Sequence, residues 1–194
     1  MSHPVDDASL VAQAQAGDLA AFDQLVLKHQ QTVYAVALRM LGHEQDAKDV
    51  AQETFIRAYQ GLRGFRHEAK LSTWLITITM NLCRNQRRWW ARRKRVIVAS
   101  IDEPLPSSEG TVADTVADPA PSPVTLAQQA ERQRLVMATL HTLDQGDREV
   151  IVLRDIQNYS YEEMARMLGC QLGTIKSRLS RARLALRARL NGQL

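Results

Sequence analysis

Apolar residues recur at intervals of three and four along most of the chain, which is the periodicity of amphipathic α-helices. Between residues 8 and 62 this spacing predicts two long helices. Gly42 is expected to end the first of them, because glycine readily adopts the left-handed conformation that closes many helices. The chain therefore begins with a helical domain.

The stretch Leu71–Arg95 carries two conflicting signals. β-Branched residues roughly alternate over Leu75–Leu82, which favours a strand. The same stretch also has apolar residues at helical spacing, and a lone strand would have no partner to pair with. We therefore predict a helix, whose polar side carries no carboxylate and leads into a basic segment.

Trp89 and Trp90 lie inside that basic segment. Aromatic rings among basic side chains suit single-stranded nucleic acid, since cations follow the phosphates and rings stack on bases. The alternative is that both tryptophans pack against the domain and are covered by arginine stems. The sequence leaves both interpretations open.

The composition changes between residues 96 and 123, where Pro, Ser, Ala and five acidic residues occur without any Lys or Arg. This composition predicts a flexible acidic linker. The predicted fold class is all-α, with one small helical domain at residues 1–95 and another at 124–194. Two tethered domains can bind two sites on one target and so reinforce each other.

The second domain is predicted to end in a helix-turn-helix. Ser160 and Glu163 have the spacing of a capping box, and Gly169 is placed to end that helix. The following helix should begin near Leu172 or Gly173. Earlier in the domain, Asp147 is expected to cap a helix start.

The last helix has an outward face of donors and, from Met164 onward, the chain contains no Asp or Glu. Such a face suits the major groove of DNA. The alternative is an ordinary packing unit with a solvated basic surface. The residues predicted to face DNA are Thr174, Lys176, Ser177, Arg178, Ser180 and Arg181.

Asp46, Asp49 and Glu53 recur at i, i+3 and i+7, with Gln52 alongside, so they project from one side of a helix. They could form a solvated face near a helix N-terminus, which is the commoner case. They could also form a docking surface for a basic partner. Spacing alone favours the solvated face.

The remaining composition excludes several classes of protein. The formal net charge of +4 is compatible with a polyanionic partner. The two cysteines are far apart, so neither a disulfide framework nor a zinc site is expected. No long apolar run is present, which predicts a cytoplasmic protein. No catalytic residue, cofactor or metal is predicted, because the clustered carboxylates have no phosphate-binding groups around them.

Three stretches together resemble the extracytoplasmic-function (ECF) sigma factors of bacterial RNA polymerase, and in detail their sigma-E-like envelope-stress regulators. These stretches are Asp46–Arg66, Ser72–Arg88 and Tyr159–Arg183. The resemblance implies a protein that binds core polymerase, recognises −35 and −10 promoter elements and helps to melt DNA. One departure is Cys170-Gln171, where the family often has an apolar residue and Pro.

The resemblance also implies roles for matching residues. The acidic helix, with Asp46, Asp49, Gln52 and Glu53, matches the segment that docks on the clamp helices of the β′ subunit. The last helix matches the reader of the −35 element. The residues implied to contact the −10 element are Thr73, Trp74, Asn81, Arg84, Asn85 and Arg88.

The partners expected from the resemblance are core RNA polymerase (β′ and β subunits), promoter DNA and a membrane-bound anti-sigma factor. That inhibitor could hold the cytoplasmic protein at the inner membrane. No small-molecule substrate is expected. The alternative function is a free-standing helix-turn-helix DNA-binding transcriptional regulator, which would leave the acidic helix and the first domain unexplained.

Overall fold

The computed structural model describes residues 6–98, 131 and 134–191. The chain divides into two compact units, Met1–Asp102 and Glu103–Leu194. The described residues form helices and include no strand, which confirms the all-α prediction. Most of the linker predicted at 96–123, and the predicted start of the second domain at 124, lie outside the described residues.

The first unit contains four α-helices within its described residues. They are α1 (Asp7–Gln15), α2 (Leu19–Leu41), α3 (Glu44–Gly61) and α4 (Leu71–Val98), with a 3₁₀ turn at Leu62–Gly64 after α3. The stretch with conflicting signals is thus helical throughout, as predicted. Gly42 has a φ of 83° and ends α2 in the left-handed conformation. Asp18 begins that helix, since its carboxylate accepts hydrogen bonds from the backbone of Ala20 and Ala21.

The core of the first unit includes one buried polar pair, between α3 and α4. Thr54 and Thr79 are both fully buried, and their hydroxyl oxygens lie 3.3 Å apart. Each hydroxyl also lies within 2.9 Å of a carbonyl oxygen one turn earlier in its own helix, that of Val50 or Leu75. Because these polar atoms are satisfied, the two helices can pack closely without a desolvation penalty. This packing fixes the acidic side of α3 relative to α4.

The second unit contains a helix at 134–141 (α5), followed by α6 (Gln145–Ile151), α7 (Tyr161–Leu168) and α8 (Leu172–Asn191). A π-helical turn, Val152–Ile156, extends α6. The prediction that Asp147 caps a helix is wrong: α6 begins two residues earlier, after Asp144, and Asp147 lies in its first turn. A helix can begin there although the Asp144 side chain makes no capping bond.

Arg148 organises the second unit from within. It is only 1% exposed, and its guanidinium donates hydrogen bonds to the carbonyls of Leu140, His141 and Leu143. The first two carbonyls lie in the last turn of α5, where backbone acceptors have no partner within the helix, and that of Leu143 lies in the turn that follows. Arg148 therefore joins α5 to α6.

Candidate nucleic-acid and protein interfaces

The polar side of α4 is a surface of donors with no acidic residue anywhere in the helix. Asn81, Asn85 and Arg88 are exposed on it, as predicted from their spacing. Arg84 is half-buried and donates a hydrogen bond from Nη1 to Oδ1 of Asn81, over 3.4 Å. Amides and guanidinium groups in this arrangement can bond to both base edges and phosphates.

Thr73 does not share that surface. It is only 8% exposed, and its carbonyl accepts a hydrogen bond from the Thr77 hydroxyl. The reason is helical geometry: at about 100° per residue, position 73 lies roughly 80° from position 81, on the inward side. The prediction that the Thr73 side chain meets DNA is corrected accordingly.

Trp74 lies in an aromatic cluster with the loop before α4. Its ring centroid is 4.9 Å from that of Phe65, whose ring is also 4.9 Å from that of His67. His67 has a φ of 58°, a left-handed conformation that is uncommon outside glycine. Gln15 holds this loop, because its Nε2 donates to the carbonyls of Leu62 and Phe65. Sequence periodicity missed Phe65 and His67, since a loop has none.

The two neighbouring tryptophans have different environments. Trp90 is half-buried, and its ring meets that of His43 edge to face at 5.9 Å. Trp89 is 44% exposed, and the guanidinium carbon of Arg93 lies 5.0 Å from its ring centroid. Trp90 therefore packs on the domain, as the second interpretation predicts, whereas Trp89 lies at the basic surface with Arg93 over its ring; stacking of Trp89 on a base stays a prediction.

The acidic side of α3 lies at the surface. Asp46 accepts a hydrogen bond from Gln86 of α4, with 3.4 Å between the atoms, and Asp49 accepts one from Gln45 at 3.0 Å. Glu53 pairs with Arg57 one turn later, at 2.7 Å. Exposed pairs of this kind are weak and can be exchanged for a partner's charges.

Gln52 faces another way, towards an apolar groove between α2 and α3. The groove has a volume of about 910 Å³ and includes Phe22, Ile56 and Tyr59 among its lining residues. Ile56 is 45% and Tyr59 49% exposed, although both are large and largely apolar. Exposed apolar surface of this extent commonly marks an interaction site. Periodicity could not reveal the groove, because it is formed by residues of two helices.

Tyr34 of α2 also lines this groove. Burial raises the pKa of its hydroxyl, and the nearby negative charge of Glu44 adds to the effect. The hydroxyl remains protonated at neutral pH and adds a hydrogen-bond donor to a lining that also contains polar side chains such as Gln52.

The predicted helix-turn-helix is present. Ser160 accepts a hydrogen bond from the backbone N–H of Glu163, whose carboxylate accepts one from the N–H of Ser160, so the capping box is complete. Gly169 ends α7 with a φ of 62°, and α8 begins at Leu172. Met164 of α7 and Ile175 of α8 are completely buried, and the two helices pack against each other. Local sequence signals and packing thus agree.

The outer face of α8 carries Lys176, Ser177 and Ser180, all exposed. Thr174 is half-buried, and its carbonyl accepts a hydrogen bond from the Ser177 hydroxyl. Arg178 lies on the side nearer α6, where its guanidinium is about 3.7 Å from the position that a Cβ on Gly146 would occupy. The outer face is accessible and carries no carboxylate of its own.

Arg181 has an acidic partner that sequence analysis did not anticipate. Its Nη2 lies 3.4 Å from Oδ1 of Asp147, while the arginine side chain stays 68% exposed. Two residues later Arg183 pairs with Asp155, and this hydrogen bond raises the pKa of the guanidinium above its usual value. Two arginines of α8 are therefore held by carboxylates of the preceding elements.

Among the described residues, no three His, Cys, Asp or Glu side chains are grouped so that they could hold a metal ion. No helix in this part of the chain is long and apolar enough to cross a membrane.

Comparison with protein families gives two matches in series. Sigma-70 region 2 matches residues 25–95, and Sigma-70 region 4 matches residues 133–186. The first match contains α3 and most of α2 and α4, and the second contains α7 and most of α8, the helix-turn-helix.

Named sigma factors are similar to this chain over nearly its whole length. The RNA polymerase sigma-H factor of Pseudomonas aeruginosa is 34% identical over 180 residues, covering 93% of this chain and 91% of that protein. The ECF RNA polymerase sigma-E factor of Escherichia coli K12 is 33% identical over 186 residues, covering 96% and 95%.

Two solved structures are similar over most of the chain. CnrH in complex with the cytosolic domain of CnrY is 31% identical with a TM-score of 0.66, covering 97% of this chain and 99% of that one. RpoE from Bartonella quintana, in complex with the anti-sigma factor NepR, is 28% identical with a TM-score of 0.66, covering 88% and 96%. The chain therefore belongs to the ECF sigma factors, the sigma-70-type proteins that direct RNA polymerase to promoters.

Proposed function

We propose that this sigma factor binds core polymerase through α3 and the groove beside it, and that β′ is the subunit bound there. The row of Asp46, Asp49 and Glu53 supplies negative charge for a basic partner surface. The groove supplies apolar area next to that charge, and Gln52 lies on its side of the helix. A partner helix covering both would contact all four residues. Further contacts with β belong to the same proposal.

The −10 element is read by the exposed side of α4 in this proposal. Asn81 and Asn85 carry the amides that can distinguish bases, and Arg88 offers a phosphate contact. Trp74, with the Phe65–His67 loop, provides an aromatic surface for a base that leaves the stack. Unstacking costs a few kcal/mol per base, so contacts with polymerase must contribute to melting. Thr73 supports this surface from inside the domain.

The −35 element is read by α8. Its outer face enters the major groove, with Lys176, Ser177 and Ser180 towards the DNA and Arg178 and Arg181 at one edge. Asp147 limits the freedom of the Arg181 side chain before DNA is bound, so less entropy is lost on binding. The domain bounds 1–95 and 124–194, with a linker between them, are part of this proposal.

The observation that carries the proposal is the distribution of charge over surfaces. Neither α4 nor α8 contains an acidic residue, and the carboxylates near α8, those of Asp147 and Asp155, are each paired with one of its arginines, whereas the carboxylates of α3 form a separate row in the first unit. A free-standing DNA-binding regulator has no use for that row or for the groove. The proposal includes no catalytic activity of the protein's own.

The test is transcription by purified core polymerase, with and without this protein, on a library of promoters. The double variant Asp49→Lys/Glu53→Lys should no longer bind core polymerase in a pull-down, while its unfolding curve stays that of the wild type. Arg57→Lys is the matched control, because it keeps the charge beside Glu53. Wild-type affinity of the double variant would refute the docking surface.

The −35 role is tested separately by footprinting with Arg178→Ala and Arg181→Ala. Each should weaken upstream protection, by about 1–3 kcal/mol where the arginine reads a base with two hydrogen bonds. Promoter use that is unchanged in both variants would refute the reading helix. Tight, specific binding of promoter duplex by the protein without polymerase would favour the free-standing regulator.

Regulation by an anti-sigma factor is part of the proposal. Both solved neighbours described above are complexes, and RpoE is bound to an anti-sigma factor. We propose that such an inhibitor, anchored in the inner membrane, holds this cytoplasmic protein until an envelope stress releases it. Co-purification of the protein with a membrane fraction, reversed by stress, would support this proposal; a protein that never leaves the soluble fraction would refute it.

A further inference from the structure

The chemistry of α4 changes along its length. Its middle turns expose the amides of Asn81 and Asn85, which can bond to base edges. From Arg87 to Arg95, every polar residue other than the tryptophans is Arg or Lys. Guanidinium groups bind phosphates, and phosphate contacts fix a protein's position on DNA without reading its sequence. The distal part of α4 is therefore suited to backbone contact.

One side of this distal part is packed on the domain. Arg87 donates a hydrogen bond from Nη1 to the carbonyl of Met40 at the end of α2, over 3.3 Å. Trp90, three residues later, meets His43 at the start of α3. These two contacts hold the helix beyond Asn85 against the corner between α2 and α3, so the side chains on its other side keep a defined direction.

Arg92 continues the exposed side of α4. It follows Asn81 by eleven residues, which brings it to within about 20° of the same side and about 16 Å further along the axis. It is exposed, as is Arg88 one turn earlier. The base-reading surface is thus extended by arginines in line with it.

Arg93 would point about 100° away from Arg92 if its side chain were unrestrained. Its guanidinium instead lies over the ring of Trp89, 5.0 Å from the centroid. This cation–π contact brings the positive group back by one turn along the helix, to the level of Trp89, and limits its rotamers. Trp89 is still 44% exposed, so the pair lies at the surface.

We propose that Arg92 and the Trp89–Arg93 pair form a binding site for backbone phosphates of duplex DNA, on the upstream side of the melted −10 segment. The inference rests on the proposed function of α4. The upstream side is part of this proposal, and the duplex probe described below tests it. Trp89 is a positioning residue, which acts by holding the Arg93 guanidinium.

The test uses holoenzyme made from core polymerase and the full chain, with two DNA probes. One probe carries the single-stranded −10 segment joined to upstream duplex, and the other carries the same single strand alone. Kd is measured by fluorescence anisotropy between 50 and 200 mM salt. On the duplex probe, the slope of log Kd against log salt concentration should fall by about 0.9 for Arg92→Ala and for Arg93→Ala. The increase in Kd between 50 and 200 mM salt should therefore be about threefold smaller for each variant than for the wild type.

The control is Arg63→Ala, which removes the same charge from another exposed arginine of the first unit. It should behave as the wild type on both probes. On the probe without duplex, Arg92→Ala and Arg93→Ala should also match the wild type. Equal losses on both probes would overturn the duplex site in favour of a single-strand contact.

The role of Trp89 is tested by a double-mutant cycle. Trp89→Leu should weaken duplex binding, Trp89→Phe should retain part of it, and Trp89→Leu/Arg93→Ala should be no weaker than Arg93→Ala alone. Additive losses would overturn the positioning role. If the wild-type holoenzyme binds the duplex probe and both arginine variants bind it with the same Kd, the phosphate site is refuted while the proposed function stands. If the wild-type holoenzyme does not bind the probe, the proposed function is refuted.

Discussion

Arg148→Met removes the guanidinium that joins α5 to α6. Methionine keeps an unbranched side chain of similar length, so the main loss is hydrogen bonding and not volume. The Arg148 guanidinium donates to three carbonyls at the end of α5 and in the turn after it, those of Leu140, His141 and Leu143. The variant should therefore test whether this buried arginine holds the second unit together.

The expected magnitude follows from those three contacts. A buried acceptor that loses its donor costs about 1–3 kcal/mol. The three contacts share one side chain and are not additive, so the total should lie between the cost of one orphaned acceptor and that of three, at about 3–5 kcal/mol. The whole stability of a domain of roughly 60 residues is about 3–9 kcal/mol. The second unit should therefore be largely unfolded, or close to it, at 37 °C.

Two spectroscopic signals separate the units. All three tryptophans, Trp74, Trp89 and Trp90, lie in the first unit, so their fluorescence reports on that unit alone. Far-UV circular dichroism reports the helices of both units. In urea titrations of the full chain, Arg148→Met should lose ellipticity before the tryptophan transition, which should keep its wild-type midpoint.

Arg166→Met is the matched control, because Arg166 is exposed on α7 in the same unit. It should unfold as the wild type does, within about 0.5 kcal/mol. If Arg148→Met keeps both the wild-type ellipticity and the wild-type urea midpoint, the proposed role of the buried Arg148 guanidinium is refuted. A shift in the tryptophan transition would show instead that the substitution also affects the first unit.

Three smaller perturbations test local features. Burial raises the pKa of Asp7, but Lys28 and His29 outweigh burial and lower the pKa overall. Asp7→Asn should therefore be less stable than the wild type near pH 7. In urea titrations at different pH values, this difference in the free energy of unfolding should disappear as the pH falls below about 3.8, the ordinary aspartate pKa. Gly42→Ala should lower the free energy of unfolding of the first unit, measured by the tryptophan transition, by about 1 kcal/mol, because Gly42 has a positive φ. Gly64→Ala should not lower it, since Gly64 has no positive φ and open space around it. Equal effects of the two substitutions would contradict the left-handed turn. Ser160→Ala should lower the free energy of unfolding of the second unit, measured by circular dichroism, by about 1 kcal/mol. An unchanged free energy of unfolding would contradict the capping box.

Much of the fold could be predicted because its signals are local. The left-handed glycines at 42 and 169 and the capping box at Ser160 depend on residues within one helical turn, so they could be identified without tertiary contacts. Asp147 shows the limit of this reasoning. It has the chemistry of a helix cap, but α6 begins two residues earlier, and its carboxylate lies near Arg181 instead.

The candidate sites were predicted unevenly. Periodicity placed Asn81, Asn85 and Arg88 on one surface correctly, because helical spacing fixes their relative direction. It did not place Thr73 in the core, since the direction of the core depends on which side of α4 the other helices cover. It also could not reveal the groove beside Gln52, whose lining comes from two helices.

The sequence by itself determined the all-helical class, the helix ends at Gly42, Ser160 and Gly169 and the separation of charge, because each of these depends on neighbours along the chain; it did not separate α1 from α2 or find the start of α6. Only the tertiary structure decided which of two adjacent tryptophans is packed and which is exposed, and that a charged arginine lies in the core of the second unit. The physical reason is that burial and partners far apart in sequence are properties of packed helices. Residues 90 and 43, or 181 and 147, meet only after folding.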